Sequence, residues 1–204
     1  MAHGPEPGTI LNESGEPTVP RRAATVVVLR GGAERLEVLM VQRTPKARFM
    51  GGAWVFPGGA VDAHEGSGDA AHRAAAIREV AEEVGITLPD PAALVPFARW
   101  ITPPEVTIRF DTYFFLVVAP DDAEVTIDGS EIVDARWFEP SRALEGAGAG
   151  ELLMVFPTIK NLEVIARFRT ADELLEWASA REVTPVQPRV EGQGEAARIV
   201  LDDE

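Results

Sequence analysis

The spacing of apolar residues divides the chain into short strand-like runs, one early helix and two late helices. Apolar runs bounded by turn residues predict strands at 23–30, 36–43, 52–59, 93–102, 109–119 and 131–140, with a further candidate at 197–201. The first two runs flank a Gly-Gly turn and predict a hairpin. The Ala-rich segment 69–85 predicts the clearest helix, with Asp69 as its N-cap and Gly85 at its C-terminal cap. Two more helices are predicted within 151–168 and 171–181.

Strands on both sides of an early helix, followed by late helices, predict an α/β protein in which helices pack on a mixed sheet. Residues 1–20 are rich in Gly, Pro and Glu and predict a flexible leader. The remainder, 21–204, predicts a single domain that includes the C-terminal helices at about 151–181. A chain of 204 residues is long enough to form one such core.

The charge balance and the cysteine count narrow the classes of function. The chain has 19 basic and 33 acidic residues and a formal net charge of −14, which argues against a nucleic acid or an anionic membrane as its partner. It contains no cysteine, which excludes disulfides and thiolate metal sites. Since the sequence also shows no signal peptide and no apolar run of membrane-spanning length, we predict a cytoplasmic location.

The stretch REVAEEVG, residues 78–85, gathers three carboxylates on the early helix. At about 100° per residue, Glu79, Glu82 and Glu83 share an arc of about 100°, separate from the apolar face. Like charges at this spacing destabilise a helix slightly, and a bound cation would remove that cost. Several carboxylates suit Mg²⁺ or Mn²⁺. The alternative is an ordinary solvated face, because charge runs are usually exposed.

The segment 58–86 resembles the Nudix box, G-x5-E-x7-R-E-U-x-E-E-x-G-U, in which U is aliphatic. Its second half matches at every fixed position, which are Arg78, Glu79, Val80, Glu82, Glu83, Gly85 and Ile86. The first half departs from the pattern, because Gly59 and Arg78 are 78 − 59 = 19 steps apart, whereas the box has about 14. The first glutamate of the box would fall on Ala70, so Asp69 or Glu65 is the candidate to replace it.

The resemblance implies an α/β/α sandwich that uses Mg²⁺ or Mn²⁺ to hydrolyse a diphosphate in a small nucleotide-type substrate. It implies Glu79 and Glu83 as the principal metal ligands, with Glu82 as a further ligand or the group that activates water. The backbone carbonyl of Gly58 or Gly59 would be another ligand. A Gly-Gly turn has no side chain that could block the approach of a metal or a phosphate.

Two further roles follow from the resemblance. Arg78 would hold the glutamates in place. Many family members use a glutamate from a later loop as the general base, and Glu131 is the candidate here, although an exposed carboxylate at the start of a strand explains it equally well. The oligomeric state is open between a monomer and a homodimer.

The segment RTPKARFMGGAWVFPGG, residues 43–59, resembles an element of coenzyme A (CoA) diphosphatases. Arg43, Arg48, Gly52 and the Phe-Pro-Gly-Gly at 56–59 fall at the expected spacing. Guanidinium groups bind phosphate bidentately, so the two arginines predict a contact with the 3′-phosphate that CoA carries besides its diphosphate. The alternative is a strand end followed by a solvated turn.

Residues 98–117 and 156–168 are similar to the acyl-CoA diphosphatases of the peroxisomal type, which also carry an insertion within the box. The aromatic residues of the first segment, among them Trp100 and Phe110, predict core packing. The leading interpretation is an enzyme that cleaves CoA or acyl-CoA into 3′,5′-ADP and a 4′-phosphopantetheine product. The alternatives are another substrate, namely ADP-ribose, NADH or a nucleotide sugar, and a non-catalytic Nudix domain that senses a nucleotide. The intact REVAEEVG stretch argues against the non-catalytic domain.

Overall fold

A mixed sheet organises the protein, whose computed structural model describes residues 12, 16–31, 35–47, 49–88, 90–192 and 198–201. The strands are, in chain order, β1 (Arg21–Arg30), β2 (Glu37–Arg43), β3 (Trp54–Val55), β4 (Gly58–Ala60), β5 (Val95–Ile101), β6 (Phe110–Val118), β7 (Ile132–Phe138), β8 (Pro185–Val186), β9 (Arg189–Glu191) and β10 (Arg198–Val200). The helices are α1 (Gly68–Val84), α2 (Pro140–Gly148), α3 (Phe156–Ile165) and α4 (Ala171–Ser179). Single 3-10 turns occupy Ala63–Glu65 and Pro91–Ala93.

The strand order of the main sheet is β3-β2-β1-β6-β5-β8, with β4 also paired to β1 and β7 to β2. β1 and β6 are parallel and in register from Arg21 opposite Phe110 to Leu29 opposite Val118. Most other pairs are antiparallel, including the predicted hairpin of β1 and β2. β9 and β10 form a separate two-stranded sheet.

Side chains of β1 alternate between two hydrophobic cores, as the period of a strand requires. Val26 and Val28 pack on one face of the sheet with Val80 of α1. Val27 and Leu29 pack on the other face with residues of α2, α3 and α4. The two faces therefore each carry helices, which confirms the predicted α/β/α sandwich with a mixed sheet.

The early helix begins and ends close to its predicted limits. It starts after Ser67, which takes the N-cap position predicted for Asp69. Asp69 lies in the first turn instead, where it accepts a hydrogen bond from Arg73. Gly85 ends the helix with φ 70°, a left-handed conformation that glycine adopts at little cost.

Five elements differ from the sequence prediction, and two of them are the short strands β8 and β9, which were not predicted. The predicted strand 52–59 is interrupted after Val55, and its two ends pair with different neighbours, β3 with β2 and β4 with β1. Pro57 lies at the interruption and has no N–H to continue a ladder. The helix predicted from residue 151 begins only at Phe156, where Pro157 occupies the first turn and favours a helix start. Helix α2 was not predicted, because its Gly-Ala-rich end resembles a loop.

The part of the predicted leader that the structure describes is hydrogen-bonded to the loop before β6. The Thr18 hydroxyl donates to the carbonyl of Thr107, and Arg109 donates to the carbonyl of Thr18 at 2.6 Å. Most of residues 1–15 lie outside the described residues. No helix within the described ranges is both long enough and apolar enough to cross a membrane.

Candidate active site

A cavity of about 390 Å³ lies where β4 and α1 meet the ends of β2, β5 and β6. Arg43, Glu79 and Glu131 line it and act electrostatically on Glu83, which lines it as well. Arg21 is a further charged residue of the wall, and aromatic, aliphatic and threonine side chains form most of the rest. We call the part formed by the four mutually interacting charged residues the polar half, and the part formed by the aromatic and aliphatic side chains the apolar half.

Glu83 is the most buried carboxylate of the polar half, with 5% of its surface exposed. Its Oε2 accepts a hydrogen bond from the Gly58 N–H at 2.9 Å, which ties α1 to the Gly-Gly turn. Burial raises the pKa of Glu83 to about 8, and the charges of Glu79 and Glu131 act in the same direction. The Gly58 hydrogen bond and Arg43 oppose that shift without cancelling it.

Glu79 lies beside Gly59 and shares the polar half with Glu83. A Cβ atom on Gly59 would lie 2.4 Å from Glu79 Oε1, so the turn leaves room for this carboxylate only because residue 59 has no side chain. Burial raises the pKa of Glu79, and the charges of Glu82 and Glu131 add to the shift, whereas Arg78 lowers it.

Arg78 donates hydrogen bonds to three glutamate side chains and to one backbone carbonyl. It donates to Glu79 at 2.6 Å, to Glu82 at 3.1 Å and to Glu65 at 3.0 Å. It also donates to the carbonyl of Ala60 at 2.9 Å, which joins it to β4. Of the two candidates to replace the first glutamate of the box, Glu65 therefore makes the contact with Arg78.

The surroundings of Glu65 hold its side chain in position for the contact with Arg78. Only 5% of its side chain is exposed. Its second oxygen accepts the Asp62 N–H at 2.6 Å. Burial alone would raise its pKa, but the hydrogen bonds from Arg78 and Asp62 outweigh burial and lower the pKa. Glu65 thus stays charged opposite the guanidinium.

Glu82 lies apart from the other two glutamates of the box. Its side chain is 61% exposed and pairs with Arg78, and it is not part of the cavity wall. The resemblance to the Nudix box implies a divalent metal ion, and no group of three or more Asp, Glu or His side chains among the described residues is arranged to hold one. Mg²⁺ commonly takes only one or two carboxylates and completes its coordination with waters and substrate phosphates. Glu79 and Glu83, buried and mutually repelling, fit that requirement.

Glu131 faces the cavity, and its backbone is fixed on both sides. Asp128 accepts hydrogen bonds from the N–H groups of Ser130, Glu131 and Ile132 at 2.8–2.9 Å and from the Ser130 hydroxyl. The Glu131 carbonyl accepts the Thr44 N–H at 2.7 Å. Although Glu131 is exposed, its charge raises the pKa of both Glu79 and Glu83. It therefore lies close enough to Glu79 and Glu83 to act on them electrostatically.

Arg43 ends β2 at the cavity, and its Nε is buried with no hydrogen-bond partner among the described residues. An unpaired buried donor costs free energy, so the site is suited to an incoming acceptor such as a phosphate oxygen. Arg48 lies outside the described residues. Gly52 has a φ of 77° and belongs to the turn that follows β2. Its N–H donates to the Arg43 carbonyl at 3.2 Å. Gly52 therefore supports Arg43 and does not itself line the cavity.

The apolar half is formed by residues that are far apart in sequence. Its wall includes Phe49, Trp100, Phe110, Phe156 and Ile199. Trp100 packs edge-on against Phe156 with ring centroids 6.0 Å apart, and Phe49 packs against Phe110 at 5.9 Å. The prediction that these aromatics are core residues is therefore incomplete, since Trp100 and Phe110 also line the cavity.

Two features of the site were missed by sequence reasoning. Asp128 could have been found, because Asp-Gly-Ser ahead of a strand is a typical turn in which the carboxylate binds following N–H groups. The apolar half has no comparable local pattern. Asp111 forms a two-pronged ion pair with Arg99 at 2.7–2.8 Å and does not line the cavity.

Comparisons with known proteins agree with this geometry. The family model described as the NUDIX domain matches residues 19–157. The putative nudix hydrolase 7 of Caenorhabditis elegans is 26% identical over 208 residues, which cover 85% of this chain and 70% of that protein. The acyl-coenzyme A diphosphatase NUDT19 of Homo sapiens is 23% identical over 79% of this chain and 72% of its own length.

A solved structure shows the same fold. The NUDIX hydrolase from Alicyclobacillus acidocaldarius superposes with a TM-score of 0.72 at 29% identity, and the match covers 81% of this chain and 99% of that one. The family match extends over well more than half of the chain and includes Arg78, Glu79 and Glu83. The chain therefore belongs to the Nudix family and is a Nudix hydrolase, an enzyme that acts on nucleoside diphosphate derivatives.

Proposed function

We propose that this enzyme hydrolyses the diphosphate of CoA and acyl-CoA, giving 3′,5′-ADP and a 4′-phosphopantetheine or acyl-phosphopantetheine product. The observation that carries the proposal is the division of one cavity into a polar half and an apolar half. A diphosphate joined to an acylated arm presents the same two chemistries. ADP-ribose, NADH and nucleotide sugars are polar on both sides of their diphosphate and would leave the apolar half without a matching group. The similarity to a human acyl-coenzyme A diphosphatase supports this choice.

Each residue of the polar half has a role in this reaction. Glu79 and Glu83 would hold Mg²⁺ or Mn²⁺, with a carbonyl of the Gly58–Gly59 turn as a further ligand. When bound, the cation supplies charge neutralisation and lowers the pKa of a coordinated water. Glu131 accepts the proton of the water that attacks phosphorus, while the P–O–P bridge breaks and the leaving phosphate departs. Glu82 keeps its predicted role as alternative base, although its exposure and its pairing with Arg78 favour Glu131.

Arg43 is the residue that we assign to the substrate phosphates. The sequence predicted a contact with the 3′-phosphate, but Arg43 lies close enough to Glu83 to lower the pKa of that carboxyl. That position favours the diphosphate, which must also lie beside the metal ligands. Its buried and unpaired Nε is then satisfied by a diphosphate oxygen.

The proposal is tested by a substrate panel with Mg²⁺ and identification of the products by mass spectrometry. The panel contains CoA, a medium-chain acyl-CoA, dephospho-CoA, ADP-ribose and NADH. We expect kcat/KM to be highest for acyl-CoA or CoA, with 3′,5′-ADP as one product. Higher kcat/KM for ADP-ribose or NADH than for any CoA compound would contradict the proposed substrate and leave only the Nudix chemistry.

Arg43 variants add a second test of the same proposal. Arg43→Ala should lower kcat/KM by about ten- to a hundredfold, since it removes a charge-assisted contact. The loss should be equal for CoA and dephospho-CoA, because both have the diphosphate. Arg43→Lys should restore only part of it, because an ammonium group lacks the planar fork. A loss confined to CoA would instead assign Arg43 to the 3′-phosphate.

A further inference from the structure

A second cavity, of about 340 Å³, lies between β5, α3 and the segment that leads into β8. Trp100 belongs to the walls of both cavities, so the second cavity adjoins the active-site cavity at this residue. Four basic residues and one acidic residue line the second cavity, namely Arg99, Lys160, Arg167, Arg181 and Glu163. In a chain with a formal net charge of −14, this is a local concentration of positive charge.

The ion pairs around this cavity leave two guanidinium groups uncompensated. Arg99 is neutralised by Asp111 at 2.7 Å, and Lys160 lies 3.4 Å from Glu163. Arg167 and Arg181 form no ion pair with any residue that the structure describes. Arg181 is held in place by its stacking over the Trp177 ring, at 4.0 Å from the centroid. The cavity therefore offers the uncompensated positive charge of two exposed guanidinium groups to a negative group.

A buried amide on the cavity wall points to the same chemistry. Asn161 is 2% exposed, and its Oδ1 accepts a hydrogen bond from Trp100 Nε1 at 3.1 Å. That bond fixes the orientation of the amide, and the Asn161 Nδ2 has no partner among the described residues. A buried donor without a partner is costly. An oxygen atom of an anion bound in the cavity would satisfy it.

We propose that the second cavity is an anion-binding site, distinct from the diphosphate site, that takes a phosphate or carboxylate group. Arg167 and Arg181 supply the charge, and Asn161 supplies a neutral donor at the base. Two sources offer this chemistry. One is a small phosphorylated molecule. The other is the chain itself, because Leu201 lines the cavity and is followed in the sequence by Asp202, Asp203 and Glu204, which lie outside the described residues.

The test measures binding of inorganic phosphate by isothermal titration calorimetry in metal-free buffer at constant ionic strength. It uses the full-length protein and a tail-neutralised variant, Asp202→Asn/Asp203→Asn/Glu204→Gln. In each background, Arg167→Gln/Arg181→Gln removes the proposed ligands. Arg169→Gln is the matched control, because it removes an exposed arginine of the same region that does not line the cavity. Circular dichroism confirms that each variant is folded.

We expect saturable 1:1 binding that weakens at least about tenfold in the double arginine variant and is unchanged in the control. Binding of similar strength in both backgrounds would identify a free phosphorylated ligand as the occupant. Binding seen only after the tail is neutralised would identify the chain's own carboxylates. The proposal is overturned if phosphate binds in neither background, or if binding is the same with and without Arg167 and Arg181. None of these outcomes depends on the enzyme's substrate.

Discussion

The two halves of the active-site cavity differ in where their residues come from. Glu79 and Glu83 of the polar half lie on a single helix beside the Gly-Gly turn, and all four charged residues of that half fall within the range of the family match. The apolar half also includes residues beyond residue 157, namely Pro188 and Ile199. In the proposed function, the residues that carry the reaction chemistry therefore lie in the part that this chain shares with its family. The proposed contacts that select the substrate also involve the C-terminal segments.

The largest effect expected from this comparison is the loss of Glu83. Glu83→Gln should lower kcat by about 10³-fold or more, since even residues that only support metal ligands contribute 10- to 100-fold. The loss should be the same for every substrate of the panel, because the polar half treats them alike. Steady-state kinetics with Mg²⁺ checks this, and activity within threefold of wild type in a folded variant would remove Glu83 from the metal site.

Glu131→Gln should have the next largest effect. We expect kcat to fall by about 10²–10⁴-fold while Mg²⁺ affinity is little changed, because a general base moves a proton and need not hold the metal. The matched variant is Glu82→Gln, which removes the competing candidate. If Glu82→Gln lowers kcat more than Glu131→Gln does, the general base is Glu82 on α1. The polar half then includes Glu82, which pairs with Arg78 in the structure.

Phe110→Ala should separate the two halves. A phenyl ring that contacts an acyl chain contributes on the order of 1–2 kcal/mol of apolar contact, so kcat/KM for a medium-chain acyl-CoA should fall about tenfold while free CoA is nearly unaffected. Phe168→Ala is the control, because Phe168 packs against Trp177 away from the cavity. Equal losses of kcat/KM for acyl-CoA and CoA would mean that the apolar half does not contact the acyl group.

The smallest effect is on the stability of the metal-free protein. Because burial raises the pKa of Glu83 from 4.5 to about 8, its protonated form is favoured in the folded state. Its contribution to stability is therefore complete below about pH 4.5 and is lost as the pH rises through about 8. Between pH 5 and 8.5, the Tm of wild type should fall by at least roughly 3 °C more than that of Glu83→Gln.

Calorimetry with and without Mg²⁺ sharpens this prediction. A cation bound to the carboxylate favours its charged form, so added Mg²⁺ should reduce the difference between wild type and Glu83→Gln at pH 8.5. Parallel pH profiles for the two metal-free proteins would show that burial does not hold a proton on Glu83.

The two α1 glutamates of the polar half could be predicted from the sequence because both lie on one helix. A helix with a fixed period brings Glu79 and Glu83 together without further information. The same period could not show that Arg78 holds Glu82 at the surface, since side-chain partners are chosen in three dimensions. Trp100 and Phe156 look alike in sequence whether they fill a core or line a cavity. That distinction depends on the distance between α3 and the sheet, and the sequence pattern carries no information about this distance.

The contact between Glu65 and Arg78 also has a consequence for chain entropy. The loop that it helps to close contains about five residues more than the usual box. By the logarithmic dependence of loop closure on length, going from 14 to 19 steps costs only about 0.3 kcal/mol. A charge-assisted hydrogen bond contributes several times that amount, about 1.5–3 kcal/mol. The length of this loop can therefore vary at little cost in free energy, as long as one carboxylate pairs with the guanidinium that also holds Glu79 and Glu82.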